Sequence, residues 1–99
     1  MEHTNEYPFT AILANLSNGR EIEFSYQGKE YSITNDSQGN WNFCCDTDGE
    51  LVQYICPFED KDALLTDLIT FVGMKKIEGT LLSEIFDKML YEDSSVCIL

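Results

Sequence analysis

From residue 20 to residue 56 apolar and polar positions alternate, and turn signals break the alternation at short intervals. That pattern predicts a meander of half-buried strands. Gln27-Gly28 suits a two-residue loop that sets Phe24 opposite Tyr31, Ile22 opposite Ile33 and Glu23 opposite Ser32. Ser37-Gln38-Gly39 suits a three-residue loop with Gly39 left-handed, which pairs Ile33 with Phe43, Tyr31 with Cys45 and Asn35 with Trp41. Asp48-Gly49 reads as a type I′ bend, pairing Phe43 with Tyr54, Cys45 with Val52 and Trp41 with Cys56. These registers gather Ile22, Phe24, Tyr31, Ile33, Trp41, Phe43, Cys45, Val52, Tyr54 and Cys56 on one face. The other face is left with Glu21, Glu23, Glu30, Ser32, Thr34, Asn42, Cys44 and Asp46, with Leu51 and Ile55 toward the last strand.

Outside this region the spacing is helical. Pro8 suits a first turn, and Phe9, Ile12, Leu13 and Leu16 form a stripe that predicts a helix over 8–17, ended by Gly19. A second helix is predicted after Pro57, opening on Glu59-Asp60 and running through Leu64, Leu65, Leu68 and Phe71 to Gly73. A third starts at Thr80 as a cap, with Leu82, Ile85, Phe86, Met89 and Leu90 at helical spacing. The tail Ser-Ser-Val-Cys-Ile-Leu reads as a short edge strand or a loose end. The predicted class is therefore α+β: a four-stranded antiparallel meander with one face covered by a short N-terminal helix and two C-terminal helices. At 99 residues and 43% apolar content the chain, residues 1–99, is expected to fold as a single domain.

Charge changes the functional picture more than the fold. Eighteen acidic against six basic residues give a net charge of −12, which repels phosphate backbones and anionic bilayers. Direct binding to nucleic acid or membrane is not expected. The first residues form no secretory leader, and no apolar run is long enough to span a bilayer, so an intracellular, reducing setting is expected for Cys44, Cys45, Cys56 and Cys97. Cys97 is third from the end, where a prenylation signal needs the fourth position.

The stretch Phe-Cys-Cys-Asp-Thr-Asp-Gly-Glu, residues 43–50, looks most like chemistry, and each chemical reading fails on spacing. A calcium loop with Asp48-Gly49 at its fifth and sixth places would put Cys44 first and Ile55 last, and neither is a suitable ligand there. Strand geometry turns Cys44 and Cys45 to opposite faces, so they do not chelate one ion together. The lone histidine, His3, leaves no zinc motif and no catalytic Ser/His or Cys/His system, and no phosphate-binding glycine loop is present. Cys45 and Cys56 read as small core hydrophobes. No enzyme activity, cofactor or metal is expected, and the stretch is read as a hairpin bend.

The runs Asn-Gly-Arg-Glu-Ile-Glu-Phe-Ser-Tyr-Gln-Gly-Lys-Glu-Tyr-Ser-Ile, Phe-Glu-Asp-Lys-Asp-Ala-Leu-Leu-Thr-Asp-Leu-Ile and Ile-Glu-Gly-Thr-Leu-Leu-Ser-Glu-Ile-Phe-Asp-Lys-Met, with a Trp-centred strand between the first two, resemble small acidic proteins of low-GC Gram-positive bacteria and their phages. In size, acidity and helix-plus-meander make-up the chain is also similar to phage anti-CRISPR proteins, acidic decoys that occupy the DNA-binding cleft of a nuclease. The likeness lies in structural motifs and transfers no functional residue. It implies a protein at work in the cytoplasm of a bacterial host cell.

The expected function is that of a non-catalytic inhibitor whose acidic surface meets a basic, nucleic-acid-binding site on a nuclease or toxin. The candidate contacts are Glu21, Glu23, Glu30, Asp36, Asp46 and Asp48, with Leu51 or Ile55 as the apolar anchor. An alternative from another class is an interaction module, such as an immunity protein or a homodimer, working through an edge strand or an apolar patch that includes Val96, Ile98 and Leu99. A third reading is a small-ligand sponge with a pocket between sheet and helices.

Overall fold

The computed structural model describes residues 7–47, 49 and 51–99. Four strands form the predicted meander: β1 Ile22–Tyr26, β2 Lys29–Asn35, β3 Asn40–Cys45 and β4 Val52–Pro57. β1 and β2 join through Gln27 and Gly28, both left-handed at φ 50° and 79°, and the pairs Phe24–Tyr31, Ile22–Ile33 and Glu23–Ser32 form as expected. Gly39 adopts φ 79° between β2 and β3, and Ile33–Phe43, Tyr31–Cys45 and Asn35–Trp41 pair as expected. Later in the chain come a two-strand ribbon, β5 Lys76–Ile77 with β6 Thr80–Leu81, and β7 Cys97–Ile98. β7 pairs antiparallel with β1, making the main sheet five-stranded in the order β4-β3-β2-β1-β7. The tail is thus an edge strand.

The register between β3 and β4 departs from expectation after one pair. Trp41 faces Cys56, but a bulge leaves Ile55 unpaired, so Asn42 faces Tyr54, Phe43 faces Gln53 and Cys44 faces Val52. The expected pairs Phe43–Tyr54 and Cys45–Val52 do not form. The cause lies in the bend. The Asp46 N–H donates to the Glu30 carbonyl at 2.7 Å, and the Glu30 N–H donates to the Thr47 hydroxyl at 2.9 Å, so residues past Cys45 continue along β2 instead of turning back in two. The Cys45 N–H then meets the Leu51 carbonyl at 3.1 Å, and the connection is longer than an Asp-Gly turn. Because strand side chains alternate, the one-residue change puts Val52 and Tyr54 outside, 58% and 59% exposed, while Gln53 turns inward.

Helices cover the inner face. α1, Phe9–Ser17, buries Ile12 and Leu16 and ends at Gly19 with φ 82°. α2 is a continuous helical run, 61–74, in which the Asp60 carboxylate caps the start by accepting the Asp62 and Ala63 N–H groups at 3.1 Å. Its middle, Leu64–Leu68, is a π-helical turn. The wider turn shifts the stripe, burying Leu68 and Val72 and leaving the expected core residue Leu65 62% exposed.

α3, Leu82–Asp87, starts two residues after the expected cap. Glu78 and Gly79 are left-handed at φ 51° and 81°, so Ile77-Glu78-Gly79-Thr80 is a tight hairpin and Thr80 belongs to β6. Met89 is also left-handed, at φ 52°, which ends the helix and leaves Met89 and Leu90 outside the predicted stripe, 52% and 45% exposed. The core contains a chain of rings: Phe86 edge-on to Phe24 at 5.0 Å, Phe24 against Tyr31 at 5.7 Å, Tyr31 against Phe43 at 5.9 Å and Phe43 against Phe71 at 6.2 Å. Among the described residues no helix is long and apolar enough to cross a membrane.

Candidate partner-binding face

The face of the sheet turned away from the helices is set by three rows of side chains. Ser25, Glu30 and Asp46 stand at one end, since Ser25 pairs with Glu30 and the Asp46 N–H is bonded to the Glu30 carbonyl. The middle row crosses all five strands as Cys97, Glu23, Ser32, Cys44 and Val52. Thr34, Asn42 and Tyr54 form the third row. Acid therefore concentrates toward β1 and β2, and exposed apolar surface toward β4.

Glu23, Glu30 and Asp46 come together around one hollow of about 100 Å³, shared with Ser25 and Ser95. Ser95 reaches it because the tail lies against β1: its hydroxyl accepts the Ser25 N–H at 3.1 Å, and the Leu99 N–H donates to the Glu21 carbonyl at 2.8 Å. Asp46 also accepts the Ser32 hydroxyl at 3.3 Å.

The other expected contacts fall elsewhere or serve the fold. The Glu21 carboxylate accepts the Asn35 N–H at 2.9 Å and so ties β1 to the end of β2. Asp36 organises the β2–β3 loop by accepting the Asn42 side-chain amide at 2.7 Å and the Gln38 and Asn40 N–H groups at 2.8 and 3.1 Å. These bonds, the one from Asn42 first, hold its carboxyl below the usual carboxylate range. Asp48 lies outside the described residues, as does His3. Leu51 and Ile55 do not join the acids: Ile55 packs against the core, and Leu51 lines a hollow with Tyr31 and Phe43 on the helix side. The apolar residues on the acidic side of the sheet are Val52 and Tyr54. Sequence reading missed them because the bonds from Asp46 and Thr47 to β2 leave no mark in the hydrophobic pattern.

Cys44 is half-buried on the same face, and burial followed by the nearby Asp46 charge pushes its thiol up, away from the reactive thiolate. Cys45 and Cys56 lie in the core, 2% and 1% exposed. Among the described residues no three His, Cys, Asp or Glu side chains are placed to hold a metal ion. A wider hollow, about 580 Å³, is an open groove between the end of α1 and the start of α2, bounded by Gly19, Phe58, Lys61, Leu64 and Leu65. No family model, curated protein or solved structure matches this chain.

Proposed function

We propose that the protein is a non-catalytic inhibitor that docks the outer face of its sheet onto a basic, nucleic-acid-binding site of a partner protein such as a nuclease. One observation carries this reading: on the sheet face that the helices do not cover, Glu23, Glu30 and Asp46 share one hollow toward β1 and β2, while the exposed Val52 and Tyr54 lie across the same face on β4. Carboxylates steer a basic partner and fix its orientation, and an exposed aromatic supplies affinity once desolvated. The net charge of −12 favours a protein partner over a phosphate backbone. The setting implied is the cytoplasm of a bacterial host, the chain being phage- or mobile-element-encoded.

The test is a titration against candidate nucleases at rising ionic strength. Association should slow steeply as the screening length falls from about 10 Å at 0.1 M salt to about 3 Å at 1 M. Glu23→Lys with Glu30→Lys should reduce the association rate, and Tyr54→Ala should weaken binding by about 2 kcal/mol through faster dissociation. Affinity indifferent to salt and to both sets of substitutions refutes the reading.

A second reading, self-association, has one observation in its favour. β4 is an outer strand of the sheet, and its exposed Val52 and Tyr54 are uncharged. Sedimentation equilibrium separates the two readings, because a strictly monomeric chain removes the second.

A further inference from the structure

Three of the six basic side chains converge on one hollow. Lys29, Lys75 and Lys76 line a cavity of about 170 Å³ between the inner face of the sheet, the end of α2 and the β5–β6 hairpin, with Tyr31, Phe43 and Leu51 as walls. Their ammonium groups outnumber the one described carboxylate at the hollow, Glu78. In a chain with eighteen acids a lysine is expected to find a carboxylate, yet among the described residues the ion pair is Lys88–Glu84, which involves none of the three.

One group at the hollow is left with hydrogen-bonding capacity. Lys75 is half-buried; its Nζ donates to Gln53 Oε1 at 2.6 Å and sits 4.9 Å from the centre of the Phe43 ring. An ammonium has three N–H donors, so that arrangement leaves more to give. Partial burial lowers the Lys75 pKa. Tyr31 is 4% exposed and is one of the residues that line the hollow.

We propose that this hollow binds a small organic anion. Its carboxylate or phosphate head sits among Lys29, Lys75, Lys76 and the Tyr31 hydroxyl, and its apolar body lies against Phe43 and Leu51. The volume is below the roughly 300–1,000 Å³ of pockets for drug-sized ligands, which limits the occupant to a compact molecule. The site lies on the helix side of the sheet, so it is independent of the proposed partner-binding face.

The experiment is an NMR titration of the intact chain with sodium benzoate and, separately, with inorganic phosphate, at constant ionic strength set by chloride. Saturable shifts at Tyr31, Lys75, Lys76 and Ile77, with Kd on the order of 1 mM or tighter for at least one probe, are expected. Saturation by benzoate alone assigns a carboxylate ligand, saturation by phosphate alone a phosphate ligand, and saturation by both a site that reads charge. Lys75→Met should weaken binding about tenfold, the loss of one desolvated charge-assisted hydrogen bond. Lys76→Gln, an exposed change that spares the core, should weaken it about threefold, and Lys88→Gln should leave it unchanged. Shifts that fail to saturate for both probes, or that respond to Lys88→Gln as much as to Lys76→Gln, overturn the proposal.

Discussion

Asp87, the last residue of α3, caps α1: its Oδ1 accepts the Phe9 N–H at 2.8 Å. The residue before α1 is Pro8, which has no side-chain acceptor, so the first-turn donor is satisfied from another element. The same end of α3 adds the Tyr91 hydroxyl, which accepts the Tyr7 N–H at 3.2 Å. Asp87→Ala should cost about 1 kcal/mol, a typical capping loss, although Asp87 is exposed and outside α1. Urea denaturation followed by the fluorescence of the lone, buried Trp41 measures it, and a change below about 0.3 kcal/mol contradicts a capping role.

The bulge at Ile55 makes two neighbouring aromatic residues respond oppositely to truncation. Phe43→Ala removes a fully buried ring and should cost about 3–5 kcal/mol. Tyr54→Ala removes a side chain that is 59% exposed and should stay within about 1 kcal/mol. Equal costs in thermal or urea unfolding mean that Tyr54 faces the core after all.

Alkaline pH should loosen the fold through two buried groups. Burial, then the Asp67 and Asp60 charges, push the Cys56 thiol above its ordinary 9.0. Burial foremost, then Cys45 and Glu78, push Tyr31 above 10.0. Both groups are protonated longer in the folded chain than in the unfolded one. Their contribution is whole below the unfolded values and is lost as pH climbs through the folded ones, at up to about 1.4 kcal/mol per pH unit for each group. Lys75 acts in the opposite sense, because its lowered pKa lets the folded chain release that proton first. Stability measured from pH 8 to 11 should fall, and Cys56→Ala should flatten the first part of the decline.

Acid should act through Asp36. Its folded pKa lies below the ordinary 3.8, so the stability it adds is present above that value and disappears as pH falls through the folded one. Asp36→Asn should make the acid limb of the stability profile shallower and free the Asn42 amide, which hydrogen exchange at that side chain would report. An unchanged acid limb removes Asp36 as the organiser of the β2–β3 loop.

Much of the fold was legible because two of the three hairpin bends carry their own geometry. Gln27-Gly28 and Ser37-Gln38-Gly39 fix a register locally, and alternation then assigns every face of β1, β2 and β3. Asp48-Gly49 misled because the bend after β3 is governed by β2, through Asp46 and Thr47, a contact with no sequence pattern of its own. Glu78-Gly79 carried the same dipeptide signal as the first hairpin, but flanking strands of two residues are too short to show alternation. The acids of the candidate face were partly legible from strand parity: Glu23, Glu30 and Asp46 meet, while Glu21 and Asp36 are drawn into the scaffold. A pocket between sheet and helices was among the expectations, but its lysines were not, because Lys29 and Lys75 are brought near each other only by the folding of α2 over the sheet.

β7 has a consequence for how copies of the molecule can meet. By lying along β1, Cys97 and Ile98 occupy one margin of the sheet, and a strand of two residues offers little for another chain to extend. Among the described strands, β4 is then the long margin open to addition. A sheet with one such margin can join a second copy back to back and stop, whereas one with two can stack without end.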